Sequence, residues 1–383
     1  MPDTVEGEKQ LPYYFPFKIG LINNDGQEIL EKMLIVSKEE ETFSFTDLEE
    51  KPHLSYNRDF SAPVIVNYPN ANYAFSMQHN KNSFARYDAT QTFALQTIET
   101  IMQTGKINPL FVEAYGKLLE LEIDLSFKAQ LLQLPSISAI IQGKENLDFQ
   151  KILEAHESLS KTLAERYKEK LLALYHKNHQ NTSSISATEM AQRKLKNVCL
   201  KRLAILDEEE IITLAQQQYQ AATSMTDKVA ALAIIENSNN HHSEDEFNNF
   251  YEKYQDNTLV MNKYLALKAS SQRDGLLKRV TELQDDKVYD VKVPNLVRSL
   301  IGVFMGNHRY FHAKDGSGYK FMVNKIIEID AINAQMASRL VNGFKLYKKM
   351  NDENQKLMAI ELEKLKQNEG LSKNSLEILE KIL

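Results

Sequence analysis

Glycine and proline are scarce in this chain of 383 residues, at 13 and 9, where average usage predicts about 27 and about 19. Six of the nine prolines lie within the first 69 residues, and residues 144–274 contain neither glycine nor proline. A β-sandwich or a doubly wound α/β fold does not run that far without turn residues, so the middle of the chain reads as helical. Collagen-like and Pro/Gly-rich disordered classes are excluded, and hydrophobics at 43% suffice for a core. Cysteine is almost absent. The single Cys199 rules out a disulfide framework and a cysteine-based zinc site, and it fits a reducing, cytoplasmic compartment. No run of about 18 apolar residues is present, so no membrane-spanning helix is expected. The acidic start Met1-Pro2-Asp3-Thr4-Val5-Glu6 lacks the apolar centre of a signal peptide.

Charge divides unevenly. Residues 1–69 hold 6 Lys/Arg against 13 Asp/Glu, and the remainder hold 40 against 39. Neither part carries the concentrated basic footprint of a nucleic-acid binder, so neither nucleic acid nor membrane is an expected partner.

What is present falls into two regions, 1–69 and 70–383. In the first, Phe15, Phe17, Ile19 and Leu21 alternate at period 2, and Asn23-Asn24-Asp25-Gly26 follows as a hairpin turn. Met33–Val36, Thr42–Phe45 and Pro63–Val66 read as further short strands. Four or five strands in so few residues suggest part of a β-sandwich, incomplete or docked on a neighbour. From about residue 70 the period becomes 3.6. One helix is expected over 148–176, with Phe149, Ile152, Leu153, His156, Leu159, Leu163, Tyr167, Leu171 and Leu174 on one stripe. Ser186-x-x-Glu189 and Ser243-x-x-Glu246 are capping boxes that open later helices. Many short amphipathic helices joined by short polar loops suggest an armadillo/HEAT-like superhelix. The fold class is mainly α, with a small N-terminal β-sandwich.

Catalytic motifs are missing. His156-Glu157 lacks the second histidine of H-E-x-x-H, and His156 sits on the apolar stripe as a structural residue. His176-x-x-His179 and His241-His242 read as solvated surface, and Cys199 as a small buried apolar residue. Asp315-Gly316-Ser317-Gly318 has no strand before it and reads as the turn opening a helix at Tyr319. Two arginines stand out. Arg298 lies in Val297-Arg298-Ser299-Leu300-Ile301 and Arg339 in Met336-Ala337-Ser338-Arg339-Leu340, among apolar and small residues. A guanidinium there needs a carboxylate, backbone carbonyls or a wet cavity. Two readings remain open: an ion pair between helices, or a cation facing a binding cavity.

Several segments resemble, in collinear order, the C-terminal portion of the bacterial aminopeptidase N family, the zinc-dependent alanyl aminopeptidases. They include Phe60-Ser61-Ala62-Pro63-Val64, Asn82-Ser83-Phe84-Ala85-Arg86-Tyr87-Asp88-Ala89 and Met225-Thr226-Asp227-Lys228-Val229. The strongest are Pro294-Asn295-Leu296-Val297-Arg298-Ser299-Leu300-Ile301-Gly302, Phe311-His312-Ala313-Lys314-Asp315-Gly316-Ser317-Gly318-Tyr319 and Ala337-Ser338-Arg339-Leu340. The pattern departs at Ser224, where the family has Asn, and at His308-Arg309, where it has Asn-Pro. The resemblance implies a β-domain lacking its first strand over 1–69 and a helical cap over 70–383, hence a fragment without the H-E-x-x-H zinc helix and G-x-M-E-N loop. It further implies a chain inactive alone that binds no cofactor itself, zinc belonging to the catalytic half. The implied partners are that half and short peptides, with Arg298 and Arg339 lining the cavity. The alternative is an autonomous α-solenoid that recruits protein partners and has no peptidase role.

Overall fold

The computed structural model describes residues 12–180, 182–239 and 244–383. Two compact units divide at Pro135/Ser136, so the 69/70 junction of the sequence lies inside the first.

The first unit contains an antiparallel sheet of order β2-β1-β3, with β1 Phe15–Ile22, β2 Glu28–Val36 and β3 His53–Ser55. The β1–β2 hairpin turns where the sequence places it. Gly26 takes φ 80°, which glycine tolerates, and Asn23 Oδ1 accepts the Gln27 N–H at 2.7 Å. Of the expected alternating face, Ile19 and Leu21 are buried, together with Leu34 on β2. Thr42–Phe45 and Pro63–Val66 are not strands. Pro63 cannot donate to a ladder and Ile65 is 91% exposed, so extended propensity there finds no sheet to join.

Sequence reading singles out nothing at Arg58, yet its guanidinium lies on the β1 backbone at Gly20. A Cβ at Gly20 would fall 2.4 Å from Arg58 Cζ. The guanidinium pairs with Glu28 at 2.5 Å and Glu31 at 2.6 Å, and donates to Ser55 Oγ at 2.9 Å. Asn57 fixes the following turn by accepting the Ala62 N–H and donating to the Ala62 carbonyl, both at 3.0 Å. Helices Tyr73–His79, Ser83–Thr104, Pro109–Glu120 and Leu125–Leu131 complete this unit, each capped at its N-terminus by an Asn or Asp side chain.

The second unit is a succession of short helices. The stripe expected over 148–176 breaks at Tyr167 (φ −121°, ψ 23°) into Phe149–Arg166 and Lys168–Lys177. The buried face turns with the break. Leu159 and Leu163 point inward before it, Leu171, Leu172 and Tyr175 after it, and Leu174 is only half-buried. Ser186 caps Ala187–Leu203 as its box predicts, accepting the Glu189 N–H at 3.3 Å. The box at Ser243 and the His241-His242 pair lie outside the described residues. Ser224 replaces the family's Asn without loss of the cap, accepting the Asp227 N–H at 3.2 Å.

Successive helices are tied by buried polar bonds as well as by apolar packing. Asp227 on Met225–Asn237 receives Lys196 Nζ at 2.9 Å and Asn197 Nδ2 at 2.8 Å from Ala187–Leu203. Gln218 on Glu209–Ala221 donates to Asn197 Oδ1 at 2.9 Å and accepts from the Tyr175 hydroxyl at 3.2 Å. Asp330, at the end of Ser317–Asp330, accepts the Ser372 N–H at 2.6 Å and its hydroxyl at 2.7 Å, anchoring Lys373–Ile382.

Candidate functional site

Arg298 belongs to a segment built in three pieces: a turn of α-helix at Pro294–Val297, a π-turn at Arg298–Gly302, and α-helix again at Val303–Gly306. Pro294 suits the first turn, where its missing N–H is not needed. In the π-turn the Val303 N–H reaches back five residues to the Arg298 carbonyl, an insertion that recurs at functional positions in helices. Val297, Leu300, Ile301 and Phe304 are fully buried on one side, while Arg298 is exposed on the other.

The surroundings hold this segment firmly. The Ser299 hydroxyl donates to Asn262 Oδ1 at 3.1 Å, tying it to Thr258–Ala269. The Phe304 ring meets Phe321 of Ser317–Asp330 at 4.9 Å and 72°. A Cβ at Gly343 would fall 2.1 Å from Met305 Sδ, so the backbone there approaches as closely as glycine allows. Arg298 Nη2 donates to Asn295 Oδ1, three residues earlier on the same helical face.

Arg339 lies on Ala334–Val341, whose N-cap Asn333 accepts the Met336 N–H at 3.0 Å. Met336, Ala337, Leu340 and Val341 are buried, and Arg339 is exposed. Of the two open readings, the interhelical ion pair is not formed by either arginine. Their apolar neighbours in sequence occupy the opposite helical face, and neither guanidinium forms an ion pair among the described residues. No hydrogen bond or ring contact joins the two. What the segments offer is a pair of permanently charged, five-donor forks in solvent, suited to a carboxylate.

No metal-ligand cluster accompanies them among the described residues. Cys199 is fully buried. Among the described residues no group of three or more His, Cys, Asp or Glu could hold a metal ion, so these residues do not fit a zinc centre. No helix among them is long and apolar enough to cross a membrane.

The sequence reading missed Asn295, Ser299 and Asn262. Asn295 was findable from its i,i+3 spacing to Arg298, whereas the π-turn leaves no mark in residue type. It also missed a cavity of about 220 Å³ beside Phe149, His308 and His312. The i,i+4 histidine spacing was its one signal.

Two family models together match the whole chain. Residues 70–383 match a domain of unknown function, DUF3458_C, described as ARM repeats, and residues 1–69 match DUF3458, described as an Ig-like fold. Aminopeptidase N of Escherichia coli K12 is 32% identical over 400 aligned residues, which take in 100% of this chain and 46% of that protein. Aminopeptidase N of Haemophilus influenzae is 28% identical with the same coverage, and that of Caulobacter vibrioides 28% over 95% of this chain and 43% of its own length. The crystal structure of Legionella pneumophila aminopeptidase A in complex with aspartic acid superposes with a TM-score of 0.87 at 25% identity, covering 96% of this chain and 45% of that one. The chain thus spans somewhat less than half the length of these relatives.

Proposed function

This chain belongs to the DUF3458 family and corresponds to the C-terminal part of aminopeptidase N, and from that premise we propose that it serves as the non-catalytic cap of a cytoplasmic metallo-aminopeptidase. On this reading the helical region closes over a catalytic N-terminal half, encloses the substrate and admits short peptides in preference to folded proteins. The parent reaction is removal of N-terminal amino acids from peptides. Zinc, held by the catalytic half, would polarise the scissile carbonyl and activate water. This chain's own residues bind and orient. Arg298, steadied by Asn295, and Arg339 attract the carboxylate end of the peptide, while the Ig-like region acts as a spacer.

The observation that supports the reading best is the exposure of both guanidiniums on firmly packed helices without an internal carboxylate. Both are presented outward. The test is sedimentation of the chain with a separately expressed catalytic half of a related aminopeptidase N. A one-to-one complex is expected. Two species sedimenting independently would reject the cap assignment.

A further inference from the structure

In a simple solenoid each repeat touches only its neighbours. The second unit departs from that rule where the start of the Phe149–Arg166 helix meets much later segments. Arg309 reaches Glu157 across 152 positions of sequence. Nearby, the Leu147 N–H donates to the Lys349 carbonyl at 2.8 Å and the Asn351 N–H to the Leu147 carbonyl at 3.1 Å, a parallel bridge flanked by Lys349–Glu145 at 2.9 Å. The start of the Phe149–Arg166 helix is thereby joined to segments near 310 and 350.

A ring cluster lies at this junction. The Phe149 ring is 3.9 Å from that of His312 at 11°, and 4.7 Å from that of His308 at 21°. The two imidazoles are 5.6 Å apart and inclined at only 10°. A phenyl sandwiched between them would hold them farther apart, so both imidazoles lie side by side under one phenyl face. Asn354 Nδ2 donates to the Tyr319 hydroxyl at 2.9 Å, and that hydroxyl is 2.9 Å from His312 Nδ1. His312 Nδ1 and the Tyr319 hydroxyl thus share one buried hydrogen bond, whose donor is set by the imidazole tautomer. His308 Nδ1 is buried without a hydrogen-bond partner among the described residues.

Burial, not the surrounding charged side chains, favours the neutral forms. On the facing helix, Glu154 accepts from Gln150 at 2.8 Å and Glu157 is engaged by Arg309. Neither carboxylate touches an imidazole. Arg309 and Lys314 from the turn and Glu154 from the helix line the same cavity. Burial pushes His312 well below the usual imidazole range, helped by its neighbour His308, and burial lowers His308 as well.

We propose that Phe149, His308 and His312 form an acid-sensitive clasp that holds the Phe149–Arg166 helix against residues 308–314 and opens when the imidazoles take up protons. A proton taken up by either ring would place a charge in the buried cluster under the Phe149 face. Two imidazoliums would then sit side by side in one cluster, their ring centroids 5.6 Å apart. The sign follows from the direction of the shifts. Because the closed state binds protons less readily than the open one, closure is complete above the ordinary imidazole value of 6.5 and weakens as pH falls below it.

Hydrogen exchange read by mass spectrometry on the whole chain tests this at pH 7.5 and 5.5, with rates corrected for intrinsic chemistry. Peptides over 145–157, 306–319 and 347–354 should open at least ~10-fold more at pH 5.5, while the Ala187–Leu203 helix stays unchanged. His308→Asn should cut that response severalfold, and His308→Asn with His312→Asn should abolish it. If the double variant fails to fold, the single variant decides the matter. Equal exchange at both pH values, loosening of the entire unit in step, or an unaltered response in His308→Asn would each overturn the proposal.

Discussion

Lys196 Nζ lies 2.9 Å from Asp227 Oδ2, with the two side chains 1% and 4% exposed. In this ion pair between Ala187–Leu203 and Met225–Asn237 the carboxylate also accepts from Asn197 Nδ2 and has Arg193 Nε at 3.6 Å, while Gln218 holds Asn197 in place. Removing one partner strands the other in an apolar interior. Asp227→Ala should destabilise the chain by about 3–5 kcal/mol, and Lys196→Met should cost clearly less because the carboxylate keeps its amide partner. Urea unfolding followed by far-UV circular dichroism measures both. Equal, small effects would mean that the pair is wetter than its burial indicates.

Gly318 gives a steric prediction. A Cβ there would fall 2.3 Å from the Tyr310 carbonyl oxygen and 2.5 Å from that of Phe311, both backbone atoms unable to swing away. Gly318→Ala should therefore cost about 1–3 kcal/mol or more through overpacking. Gly306 has open space around it, and Gly306→Ala should be neutral or stabilise by about 0.4–1 kcal/mol. Thermal midpoints of the two variants should move in opposite directions or, at the least, differ plainly.

Arg58 offers a test in the first unit. Its guanidinium fills the space over Gly20 and neutralises Glu28 and Glu31. Arg58→Ala should lower stability, chiefly from the packing lost over Gly20 and from Glu28 left without its partner, Glu31 keeping Lys18 at 2.7 Å. Arg58→Lys should restore only part of this, because an ammonium cannot make the forked contact.

These positions show how legible the molecule was. The β-to-helix change, the hairpin at Asn23–Gly26 and the Ser186 cap could be read directly, since each rests on local chemistry. The strands over 42–45 and 63–66 could not, because a strand exists only where a neighbour accepts its hydrogen bonds. The break at Tyr167 has no Pro or Gly to announce it, and nothing in the structure explains it beyond the turn of the buried face. The environment of the arginines is not legible from their neighbours in sequence, because one helical turn places Ala337 and Leu340 inside and Arg339 outside. The clasp joins residues some 150 positions apart, which no local pattern encodes.

For the arginines, exposure separates fold from function. Arg298→Ala and Arg339→Ala should leave the unfolding midpoint unchanged, since neither guanidinium is buried or ion-paired. In an enzyme reassembled with a catalytic half, each should raise KM for peptides with a free C-terminal carboxylate while sparing amidated peptides. Asn295→Ala should give a weaker version of the same shift by releasing the Arg298 guanidinium. A uniform fall in kcat for both substrate types would place the arginines outside substrate recognition.

The most direct measurement is hydrolysis of alanyl p-nitroanilide by a matching catalytic half, alone and with this chain added. The account predicts no turnover by the chain alone and a rate that rises with added chain to saturation at one equivalent. A catalytic half whose rate is indifferent to the chain at any ratio would contradict it.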